Sequence, residues 1–345
     1  MRKRLYGLDT FRVLSAFVVL LFHAAIHVDC DFGILQPFIE MGAIFMTGFF
    51  MLSGYSLFYV YEEKNLSIAQ NIVSFYKKRL IGILPMYYFV ALLYVFFLGE
   101  ESLLKNIVLM PVEVLGIQSV YASLFDVSHN GGTWFISCIL ICYLLFPLVL
   151  NLIRFFSEKQ KIVLFLIFSA ILLYSPFVVE LFDLQTIYSN PFFRILEFVN
   201  GMIIASSMKK LQEIKIIDKL VLNNFAFFIE LLLLIIGVTI ALEIGIPKNY
   251  MLYSWIGLPM FSLMLMTASC AKIGGGTAII RYLSKISYAI FLSQFFVWKI
   301  IKRLNIESNI MKIFSSVILC VFISVLINKI IDIFSRKVFK NGMKK

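Results

Sequence analysis

The chain has 345 residues, 61% of them hydrophobic and 15% charged, with a mean hydropathy of +0.93 and a net charge of +11. A soluble domain carries about a quarter charged residues, so a soluble fold is excluded. The excess base lies in short connectors between apolar runs, which is the pattern of a topology signal and not of a nucleic-acid surface.

The apolar runs are long enough for helices to cross a bilayer and too long for barrel strands. The expectation is an all-α polytopic membrane bundle, one domain over residues 1–345, with about ten spans near 11–28, 37–60, 80–98, 133–153, 162–182, 192–208, 221–242, 251–271, 286–302 and 311–334. The basic start, MRKR, resembles a secretory leader. No small-residue cleavage site follows, and His23 and His27 stand where one would fall, so the first run reads as an uncleaved span. Alternate connectors hold 22 and five Lys/Arg. By the positive-inside rule this puts both termini in the cytoplasm. Lys302 and Arg303 are the exception on the outer side.

The first span, GLDTFRVLSAFVVLLFHAAIHV, has three misfits: Asp9, Arg12 and His23. Arg12 and His23 lie about 16 Å apart along a helix and within ~20° of one face. Ionisable groups inside a span face a cavity or a partner. A guanidinium there suits a phosphate or carboxylate, and an imidazole suits proton removal from a hydroxyl. Asp9 reads either as a partner for Arg12 at i, i+3 or as the helix cap. His27, one turn further on, reads as interfacial.

In the second span Gly48, Ser53 and Gly54 mark close helix packing. Arg79 precedes Pro85 at the cytoplasmic mouth of the third, where Lys77 and Lys78 are topology charges. The stretch LLKNIVLMPVEVLGI is too short and polar to span and reads as an interfacial or re-entrant helix, a lid over an outward-facing chamber. Trp134 reads as an interface anchor, with His129 solvated beside it. Arg194 and Glu197 pair at i, i+3. Glu230 needs a partner that the sequence does not name. Tyr288, Ser293 and Gln294 are polar groups for the bundle interior. The five cysteines imply no disulfide framework and no metal site.

Arg12, ten residues, then His23, followed in order by FFMLSGYSLF, FYKKRLIGILP, TWFISCILICYLLFP, RILEFVNGM and ISYAIFLSQF, resembles the acyltransferase 3 family of integral membrane acyltransferases. The resemblance covers about residues 5–300. It implies an acyl-CoA donor, most often acetyl-CoA, a saccharide or lipid-linked glycan as acceptor, and a bacterial plasma membrane. It also implies a catalytic His23 and a donor-binding Arg12, with Arg79 matching a family arginine. With Asp9 ordering Arg12, the expected site is His23 and Asp9 for catalysis and Arg12 and Arg79 for the donor, without metal. The family's acid after the fourth-span tryptophan is missing here, and Gln294 stands where many relatives have histidine. No appended hydrolase-like domain is expected after the last span. A saccharide or metabolite exporter is the alternative, and the sequence leaves homo-oligomerisation open, as it does the choice between direct transfer and an acyl-enzyme.

Overall fold

Apolar runs bounded by charges and turn residues become helices because a backbone in lipid pairs only with itself. The computed structural model describes residues 4–98, 102–120, 128, 130–182, 188–213, 225–250, 252–270 and 277–342. Among these residues the secondary structure is all helical. The helices are α1 (Tyr6–Val28), α2 (Gln36–Glu40), α3 (Phe45–Tyr61), α4 (Ala69–Leu93), α5 (Leu103–Leu115), α6 (Trp134–Phe155), α7 (Glu158–Phe182), α8 (Pro191–Glu213), α9 (Ala226–Glu243), α10 (Ser254–Cys270), α11 (Thr277–Arg303) and α12 (Asn309–Gly342).

Seven of them are long and apolar enough to cross a membrane: α1, α3, α4, α6, α7, α9 and α12. The three other expected spans coincide with α8, α10 and α11. These are the helices with polar inner faces or shorter apolar lengths. The expected interfacial segment is α5, 13 residues and about 20 Å long. Ser102 caps it by accepting from Lys105 N–H at 3.2 Å, and Gly116 ends it in the left-handed region, φ 64°. Leu103, Leu104, Ile107 and Val108 on this helix are exposed, as a segment lying against lipid requires.

The site is built on α1, which packs against α11, α10 and α3. The closest crossing is between α3 and α8, where two glycines remove the side chains that would hold the helices apart. A Cβ on Gly54 would stand 1.8 Å from the Phe198 carbonyl oxygen, and one on Gly201 would stand 1.9 Å from that of Met51. On the far-face side of the crossing, Arg194 and Glu197 form a fully buried ion pair at 2.8 Å, with Thr47 Oγ1 donating to Glu197 at 2.8 Å. The rings of Tyr188, Trp134 and Phe50 surround the guanidinium at 4.7, 5.2 and 5.5 Å. Trp134 is therefore a core residue, 5% exposed, and not an interface anchor. Its indole is more valuable against a buried cation than at a lipid boundary. His129 lies outside the described residues.

Inter-helix contacts gather the helix ends on two faces. On the N-terminal face, Arg154 donates to the carbonyls of Tyr61 and Lys64, and Ser207 to Glu158. On the far face, Asn309 binds Asp31, Lys248 binds Glu40, and Asn130 Nδ2 donates to the Leu292 carbonyl at 2.9 Å. Lys248 holds the Glu40 carboxyl below its ordinary range.

Candidate active site

Asp9 and Arg12 sit on the first turns of α1, at the N-terminal face. The helix begins at Tyr6 after Leu5, so Asp9 lies inside the first turn and is not the cap. Its buried carboxylate accepts from Arg4 Nε at 2.7 Å and from Ser284 Oγ on α11 at 2.7 Å. It thus ties the chain start to α11 while leaving Arg12 alone. Among the described residues the Arg12 guanidinium makes no hydrogen bond or ion pair. A guanidinium on a cavity wall with no protein partner is open to an anionic ligand.

Arg12 lines two cavities. One, of about 930 Å³, opens at the N-terminal face and is also lined by Arg4, Asp9, Ser56, Tyr59, Glu63 and Lys64. The other, of about 310 Å³, runs into the bundle. Its polar wall holds Arg12, Arg79, Ser53, Tyr143, Ser284, Lys285 and Tyr288, and its apolar wall includes Met46, Phe49, Phe135, Ile139 and Phe291. Arg79 reaches this space from α4, with the rings of Tyr61, Phe75 and Tyr143 about 6 Å from its guanidinium carbon and its buried Nε unpartnered. Arg12 and Arg79, predicted as one donor-binding pair, therefore face the same cavity from different helices. A polar, cationic mouth leading to an apolar channel fits a long ligand with an anionic head and a thin tail.

His23 stands three turns above Arg12 on α1. It lines neither of the cavities that Arg12 lines. Its ring packs on Phe295 at 4.6 Å and Phe22 at 4.8 Å and stacks on His27 at 5.5 Å. Its Nδ1 is enclosed and has no hydrogen-bond partner. Phe295 also faces a third cavity, of about 390 Å³ on the far face, lined by His27, Tyr94, Gly131, Trp298, Lys299, Lys302 and Arg303. One turn below it on α11, Phe291 closes the inner cavity against Phe135, with ring centroids 5.2 Å apart. The imidazole thus packs against Phe295, a wall residue of the far-face cavity, three turns from the cavities that Arg12 lines. Asp9 and His23 are not brought together, since 14 residues of helix separate them by about 21 Å.

Several participants carried little signal in the sequence. Arg4 looked like one of a run of topology charges, Tyr143 like an ordinary span residue, and Ser284 like part of the connector before the ninth span. Tyr288 does face the inner cavity and donates to the Ile83 carbonyl at 3.2 Å. Ser293 and Gln294 do not; they are buried against Ser324 and the Phe291 carbonyl. Glu230 gains the partner the sequence withheld, accepting from Thr267 Oγ1 at 2.7 Å. No three-residue grouping of His, Cys, Asp or Glu able to hold a metal ion occurs among the described residues.

Comparison with curated proteins and with solved structures found no match. The acyltransferase 3 family model, an acyltransferase domain, matches residues 5–329, nearly the whole chain. With its membrane helices and the paired cavities around α1, the chain belongs to this family and is a membrane acyltransferase.

Proposed function

We propose that the protein moves an acyl group, acetyl in the first instance, from acyl-CoA to a hydroxyl of a cell-surface or lipid-linked saccharide. The observation that carries this reading is the unpaired Arg12 guanidinium at the junction of two cavities, with Arg79 on the wall of the inner one. In this reading the N-terminal face is cytoplasmic and the phosphates of CoA rest among Arg12, Arg79 and Lys64. Bidentate pairing with guanidinium favours phosphate oxygens in this setting. The pantetheine arm follows the apolar wall toward Phe135 and Phe291.

His23 is the general base. Its unpartnered nitrogen removes the proton of the acceptor hydroxyl as the oxygen attacks the thioester carbonyl, and the CoA thiolate leaves as the C–S bond breaks. Direct transfer is favoured over an acyl-enzyme, because among the described residues the ring contacts of His23 are Phe22, His27 and Phe295 and no serine or cysteine hydrogen-bonds to it. Asp9 acts as a positioning residue, fixing α1 against α11 through Ser284. Saccharide or metabolite export gains no support from the family match. Mass spectrometry of surface glycans from cells with and without the chain tests the assignment. An O-acyl group that vanishes with the protein, and with His23→Ala at unchanged membrane abundance, supports it. Glycans acylated identically in all three backgrounds contradict it.

A further inference from the structure

Resting on that transferase reading, we propose that the far-face cavity is the acceptor subsite and takes a saccharide bearing a negative charge, a carboxylate or a phosphate, near the hydroxyl to be acylated. The argument starts from charge. Far-face connectors hold five Lys/Arg against 22 on the other side, yet three of the five fall within residues 302–312. Bases there oppose the orientation that the rest of the chain sets, so their concentration needs a local cause.

The structure supplies one. Lys299, Lys302 and Arg303 follow each other at i, i+3 and i+4 on α11, and all three line the cavity of about 390 Å³. No carboxylate lines it among the described residues. Asp29 and Glu307 line the adjoining cavity of about 410 Å³ together with Lys302 and Lys312, which leaves Lys302 at the border of the two. Trp298, 2% exposed and on the wall of the cationic cavity, has an indole Nε1 without a hydrogen-bond partner. A donor enclosed beside several cations is completed by an anionic oxygen. His27 and Phe295 share this wall and both pack on His23, so a sugar anchored by its charge among the α11 cations lies one ring away from the base.

Calorimetric titration of the purified full chain in phosphatidylcholine nanodiscs, without acyl-CoA, tests the proposal. The probes are methyl glucuronide, glucose 1-phosphate and the neutral methyl glucoside. At least one charged sugar is expected to bind at least tenfold more tightly than the neutral one, and the stronger of the two distinguishes carboxylate from phosphate. Lys302→Gln is expected to weaken that binding roughly tenfold, the loss of one charge-assisted contact, and Lys302→Arg to restore it. Equal binding of charged and neutral sugars, binding of neither, or indifference to Lys302→Gln overturns the proposal. Loss of sugar binding when phosphatidylglycerol replaces phosphatidylcholine identifies a lipid-headgroup site and overturns it as well. No turnover is measured, so failure here leaves the transferase reading standing, and failure of transfer leaves this binding result interpretable.

Discussion

At the scale of single residues, the chain separates groups that hold it together from groups left open for chemistry. Arg194 and Glu197 belong to the first kind: charged, 1% exposed each, and satisfied by one another, Thr47 and a ring of aromatics. Glu197→Ala strands a buried cation and is expected to cost about 3–5 kcal/mol, read as a lost thermal transition in detergent. Arg12 and His23 belong to the second. Neither makes a hydrogen bond among the described residues, so removing them strands no buried partner. His23→Ala is expected to abolish acyl transfer in a protein that still folds and reaches the membrane at unchanged abundance; retained transfer would remove its role as base. Phe295 lines the far-face cavity with its ring 4.6 Å from His23. Phe295→Ala is expected to raise acyl-CoA hydrolysis severalfold in the absence of acceptor, by admitting water to the thioester. An unchanged hydrolysis rate would show that the ring does not shield the thioester from far-face water.

At the scale of elements, what the sequence made legible followed from lipid physics. Helix positions were readable because apolar runs of span length have one satisfactory backbone solution, and α5 was readable because Lys105, Pro111 and Glu113 interrupt a run too short to cross. The small residues of α3 announced a close crossing, and the structure identifies its partner as α8. Because carbonyl oxygens occupy the space a methyl group would need, Gly54→Ala and Gly201→Ala are each expected to destabilise by about 1–3 kcal/mol. Gly82→Ala is the control, with open space around it. A melting temperature equally tolerant of all three would show that α3 and α8 do not meet through these glycines. The sequence also put Arg12 and His23 on one helix face, but it was silent on Phe295. A phenylalanine among 36 carries no signal of its own, and only tertiary packing reveals that this one packs on His23 and lines the far-face cavity. Asp9 illustrates the same gap. Its neighbour at i+3 is Arg12, whereas its hydrogen bonds go to Arg4 and to Ser284, 275 residues away.

At the scale of the whole molecule, the arrangement is a bundle with a cationic cavity toward each face and α1 running between them. In the proposed orientation the N-terminal face lies in the cytoplasm, toward the acyl-CoA donor, and the far face toward the acceptor. Single cysteines at Asn65 and Asn305, in a chain whose five free cysteines are replaced, test that orientation. An impermeant maleimide is expected to label position 305 in intact cells and position 65 only after permeabilisation; the reverse pattern would turn the molecule over. The most direct test of the central claim is calorimetric titration of acetyl-CoA into the purified protein and two variants. The account predicts binding to the native chain, binding weakened about tenfold or more by Arg12→Ala, and binding retained by His23→Ala. Acetyl-CoA that binds Arg12→Ala as tightly as the native protein would contradict it.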